Sequence, residues 1–175
     1  MTSAKDGDDY KYAAKTYIDC TNAIRTFVPS YIPTLEDFFK RVVLNYLICN
    51  GDAHLKNFSL YRKSDALNLT PNYDIMNTRL HLQSEALDTG LSFFEESTKA
   101  FDAVGFYSYH DFKYMSELLN MKESRFDKIV KLCQESEKKV TTLIEHSFLS
   151  KEAKEFYSGS YHERLNKRFL YVPMI

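Results

Sequence analysis

Apolar side chains at Leu35, Phe38, Phe39, Val42, Val43, Tyr46 and Leu47 recur at three- and four-residue steps. That spacing makes one helix face over more than three turns. Thr34 stands where a cap would, with Asp37 three positions on in the manner of a capping box. Asn50-Gly51 follows as a turn signal, so the pattern predicts a buried helix between Thr34 and that turn. Upstream, Tyr17, Ile18, Ile24, Phe27 and Val28 suit one or two short helices over 10–28, closed by Pro29 and Pro33. Residues 1–9 are polar and expected to form a flexible N-terminal segment.

Downstream, Phe58-Ser-Leu-Tyr alternates, and Leu67-Asn-Leu-Thr alternates again beyond the polar connection Arg62-Lys-Ser-Asp. Two short strands in a hairpin follow from that pattern. Residues 75–106 hold no period and read as an ordered, irregular excursion. Helical stripes then run through Phe112, Met115, Leu118 and Leu119, and through Phe126, Ile129, Val130, Cys133, Val140 and Ile144. A last helix, capped by Ser150, carries Phe156, Tyr157, Tyr161, Leu165 and Phe169. Tyr46, Tyr73 and the C-terminal aromatics are assigned to packing. The fold class predicted is mostly α (α+β), one domain with a small β-hairpin in its middle.

Composition narrows the functions open to such a domain. Its 175 residues carry 23 Lys+Arg against 24 Asp+Glu, a net charge of −1, so no global basic field exists to hold nucleic acid or an anionic membrane. Neither a membrane nor direct nucleic-acid binding is expected. Apolar residues at 44% of the chain exclude intrinsic disorder. Cys20, Cys49 and Cys133 are dispersed and odd in number, which fits free thiols in a reducing, cytoplasmic setting. The amino terminus lacks the apolar run of a signal peptide.

Candidate chemistry concentrates in Asn50-Gly-Asp-Ala-His-Leu-Lys-Asn-Phe-Ser-Leu60, between the buried helix and the hairpin. Asp52 and Asn57 are five apart. Phosphotransferase catalytic loops use that separation, the Asp accepting the substrate hydroxyl proton and the Asn binding magnesium. With twelve aspartates and nine asparagines in the chain, one such pair is close to what chance supplies; the weight lies in its context. Magnesium favours hard oxygen ligands in a near-octahedral shell, and Asp74, just beyond the second strand, is placed to supply a second carboxylate. Lys56 could neutralise charge on a transferring phosphoryl group. His54 suits a hydrogen-bonding orienter better than a metal ligand, because magnesium rarely takes imidazole.

Asn50-Gly-Asp-Ala-His-Leu-Lys-Asn-Phe-Ser-Leu, followed by Leu69-Thr-Pro-Asn-Tyr-Asp-Ile, resembles the HipA-like serine/threonine kinases, toxins of bacterial toxin–antitoxin pairs. The resemblance implies a protein-kinase-like helical C-terminal lobe over 10–175, with the hairpin carrying the catalytic loop. It makes Asp52 the catalytic base, Asn57 and Asp74 the magnesium ligands, and His54 and Lys56 loop-lining positions at the ATP site. ATP and Mg2+ are the cofactors implied, a protein Ser/Thr the substrate, and a DNA-binding antitoxin the partner. The loop is similar also to that of aminoglycoside and choline phosphotransferases, which lack the Leu-Thr-Pro-x-Tyr-Asp segment. A non-catalytic interaction module of kinase-like fold is the third reading. The five glycines form no G-x-G-x-x-G phosphate loop, and the N-terminal ATP-binding lobe is expected to be absent from this chain. Alone, it is expected to bind nucleotide weakly and turn over little.

Overall fold

The computed structural model describes residues 16–82 and 87–174. The predicted flexible segment 1–9 and the 10–15 portion of the first predicted helix lie outside the described residues. The elements run α1 (Tyr17–Phe27), α2 (Tyr31–Leu47), a 3-10 turn (Leu55–Asn57), β1 (Leu60–Lys63), β2 (Ala66–Leu69), α3 (Arg79–Leu82) and α4 (Lys99–Val104). Then follow α5 (Tyr109–Leu118), α6 (Glu123–Glu145), α7 (Lys151–His162) and a π-helix (Glu163–Phe169). The described residues are mostly helical, with a two-stranded antiparallel sheet of β1 and β2.

The predicted stripe of α2 is buried along its length, with Phe38 and Phe39 fully enclosed. Its start differs from expectation. Ser30 is the N-cap and Pro33 lies inside the first turn, where the N–H that proline lacks would have no partner in any case. Thr34 therefore donates its hydroxyl to the Ser30 carbonyl instead of capping. The end also differs. Asn50 N–H bonds Asn45 C=O and Cys49 N–H bonds Tyr46 C=O, a Schellman pair with Cys49 left-handed at φ 60°. The reversal is thus made at Cys49, one residue before the Asn-Gly signal.

α1 begins with a reciprocal capping box between Thr16 and Asp19. The strands pair Leu60 with Leu69 and Lys63 with Ala66, so the hairpin turns at Ser64-Asp65 and each strand is offset by two residues or fewer from its predicted span. The excursion over 75–106 contains α3 and α4 and is knit into the core. Phe93 is fully buried and stacks on Tyr107 at 3.8 Å. Ser108 is the N-cap of α5, and Asp111 accepts from its N–H and hydroxyl and from the Thr98 hydroxyl. Ser150 caps α7 as predicted, accepting from Ala153 N–H. The last stripe continues past α7 as the π-helix, which buries Leu165 and Phe169.

One tie between helices carries a pH signature. Arg125 of α6 donates to both carboxylate oxygens of Glu36 in α2, at 2.8 and 2.6 Å, and Lys40 sits 2.7 Å from the same group. Partial burial alone would push the Glu36 carboxyl up, but bonds from Lys40 and Arg125 outweigh it and hold it below the usual range. A carboxyl lowered in the folded state stabilises above its unfolded pKa and loses that contribution as pH falls through the folded value. Because Arg125 and Lys40 are largely exposed, the contribution is about 1 kcal/mol or less. Urea unfolding should show Glu36→Gln less stable than wild type at pH 7, with the difference shrinking as pH falls through the lowered carboxyl's folded value.

Candidate active site

The loop between α2 and β1 is held from three sides. From α1, the Tyr17 hydroxyl donates to the Ala53 carbonyl at 2.9 Å; burial pushes this phenol well above its usual pKa, so it stays a donor. From the chain beyond β2, Thr78 accepts from Gly51 N–H and donates to Cys49 C=O, both at 3.0 Å. From the same side, Tyr73 donates to the Lys56 carbonyl at 2.5 Å and meets Ser59 at 2.8 Å. Tyr73 is half exposed, so its expected role in packing gives way to one in tying the two segments together. Tyr17 and Thr78 were not singled out for the site from sequence. Ordinary core and turn residues give no local signal of contacts made across 36 or 27 positions.

Within the loop, the Asp52 carbonyl is the hub. It accepts from His54 N–H at 2.8 Å and from the Asn57 side-chain amide at 2.7 Å. Asn57 is buried, and because its NH2 faces that carbonyl, its Oδ1 is turned the other way. The buried Asn50 amide spans the gap to Asp74: its oxygen accepts from Asp52 N–H at 3.2 Å, and its nitrogen donates to the Asp74 carbonyl at 3.0 Å. A further 2.8 Å bond to Asn45 fixes the amide's orientation. Asp74 is exposed and left-handed at φ 55°, a conformation aspartate tolerates better than most residues. His54 is buried, with Nε2 3.7 Å from Asp52 Oδ1. Lys56 is exposed at the loop surface.

The loop therefore carries Asp52, His54, Lys56 and Asn57, and Asn50 ties its backbone to that of Asp74. Neither carboxylate is walled off by apolar side chains: Asp52 is partly exposed and Asp74 exposed. A cavity of about 360 Å³ opens beside Asp52, lined by Gly51, Met76, Thr78, His81, Leu82 and Leu87. The donors suit a hard cation, since Asn57 Oδ1 and the Asp74 carboxylate are oxygen ligands of the kind magnesium takes. Among the described residues no three His, Cys, Asp or Glu side chains converge as a metal cluster. The candidate donors are one amide and one carboxylate, and magnesium supplements so few protein ligands with water and phosphate oxygens.

The chain matches the HipA-like C-terminal domain over residues 1–156, and it belongs to that family. Its fold is shared with HipA in the Shewanella oneidensis MR-1 toxin–antitoxin complex of HipA, HipB and operator DNA, at a TM-score of 0.66 and 15% identity. That match covers 93% of this chain and 38% of the other. No curated protein sequence matches the chain. No described helix is long and apolar enough to cross a membrane.

Proposed function

We propose that this chain is the C-terminal catalytic lobe of a HipA-like serine/threonine protein kinase, which transfers the γ-phosphate of ATP to a protein hydroxyl. The observation that carries the reading is the Asn57–Asp52–Asn50–Asp74 chain of hydrogen bonds, in which the side-chain amides of Asn57 and Asn50 hold the backbones of Asp52 and Asp74. Asp52 is the base: partly exposed, it accepts the proton of a hydroxyl brought to the loop. Asn57 Oδ1 and the Asp74 carboxylate would hold magnesium, whose charge would offset that of the phosphate oxygens. Lys56 offsets charge on the group in transfer. His54 lies under the loop and orients the Asp52 carboxylate.

The chain spans 38% of its structural relative's length, so the activity belongs to the whole protein in this reading. The relative assembles with HipB and operator DNA, which supports a toxin role and a DNA-binding antitoxin partner for this protein, in the cytoplasm. The test is phosphate transfer from γ-labelled ATP by the full-length protein with magnesium. Label on protein serine or threonine supports the reading. Label on aminoglycosides or choline, or no label at all, overturns it.

A further inference from the structure

The segment Leu87–Leu91 lies across the catalytic loop at backbone contact. A Cβ on Gly51 would fall 2.2 Å from the Leu87 carbonyl oxygen, and one on Gly90 would fall 2.3 Å from the Ala53 carbonyl carbon. Two glycines therefore let this strap and the loop carrying Asp52 touch without side chains between them. Past Leu91, the Ser92 carbonyl accepts from Tyr17 N–H at 3.0 Å. Within the strap the anchor is Asp88, whose carboxylate takes Arg164 Nη2 at 2.5 Å and Arg168 Nη1 at 2.9 Å. Both arginines sit on the π-helix, a rare element often found at functional sites.

Arg164 is costly where it stands. It is completely buried, its guanidinium lies 4.5 Å over the Tyr46 ring, and its Nε and Nη1 have no hydrogen-bond partner among the described residues. Buried ion pairs are commonly matched or bettered in stability by apolar side chains of similar volume, so folding alone does not call for an arginine here. Asp88 is half exposed and loses little if its buried partner is removed. What the pair does supply is a fixed position for Asp88, and through it for Leu87 and Gly90.

We propose that Arg164, assisted by Arg168, is a positioning residue: it clamps Asp88 and so sets the height of the strap over Gly51–Ala53 and the placement of Asp52. The proposal rests on the phosphoryl-transfer reading for its effect on rate, but the clamp has a readout of its own. In the full-length protein, Arg164→Met should melt within a few degrees of wild type or above it. Amide hydrogen exchange over 87–91 and 51–53 should accelerate at least tenfold. Turnover of Mg·ATP, followed as ADP released, should fall about tenfold or more in kcat with KM for ATP within twofold, since small misplacements of reacting groups are expensive. Arg168→Gln, which removes only the outer contact, should move both readouts the same way by less. Unchanged exchange in Arg164→Met, or faster exchange with unchanged kcat, overturns the clamp. Should Arg164→Met fail to fold, unchanged exchange in Arg168→Gln overturns it. Absence of Asp52-dependent turnover in wild type instead overturns the phosphoryl-transfer reading, and exchange alone then decides whether Arg164 holds the strap.

Discussion

Asp52→Asn in the full-length protein is expected to lower phosphoryl transfer by about 10²- to 10⁴-fold, the range a positioned general base contributes. The substitution keeps the side-chain volume, and the backbone contacts of Asp52 survive: the carbonyl still accepts from Asn57 and His54, and the N–H still reaches Asn50. The loss should therefore fall on kcat, with ATP affinity and melting temperature close to wild type. Single-turnover assays with saturating ATP would read it directly. A variant retaining a third or more of wild-type turnover would remove Asp52 from the role of base.

The second large effect belongs to Gly51→Ala. Its new methyl would meet the Leu87 carbonyl at 2.2 Å, and a backbone atom cannot swing aside as a side-chain end can. Relief requires moving the strap or the loop, and Gly51 N–H is itself bonded to Thr78. Overpacking penalties reach about 3 kcal/mol, which in a chain of this size lowers the melting temperature by roughly 10 °C. Gly105→Ala offers a contrast, because that glycine has open space but a left-handed φ of 74° as the C-cap of α4. Its cost is conformational and should be nearer 1 kcal/mol. Equal, small losses from the two substitutions, read by calorimetry, would mean that the strap does not press on the loop.

Much of the framework was legible because local pattern and tertiary demand agree. The α2 stripe has one apolar face and that face is buried. The loop stood out because polar residues at catalytic spacing interrupt core elements, and the hairpin because alternation survives there. What escaped lies in contacts that no local pattern encodes. Cys49 adopts the left-handed C-terminal turn without any residue preference announcing it. Pro33 reads as a terminator in the sequence, yet first-turn positions accept proline and α2 runs through it. Phe93 belongs to the core by stacking on Tyr107 across an aperiodic stretch. Asp52, Asn57 and Asp74 are candidates that spacing and family likeness offer, whereas the bridging contact of Asn50, the tie made by Tyr73 and the ion pairs of Asp88 emerge only once segments distant in sequence meet. Asn50 stood inside the motif, yet nothing in its type distinguishes a turn residue from a bridging amide.

The sharpest test is calorimetric titration of the full-length protein with a non-hydrolysable ATP analogue, with and without magnesium. If the Asn57 amide oxygen and the Asp74 carboxylate hold the cation against the phosphates, wild type binds tighter with magnesium, and Asp74→Ala and Asn57→Ala each lose most of that gain, about 10- to 100-fold in affinity. If both variants keep the full magnesium dependence of wild type, those two side chains do not grip the metal and the account fails.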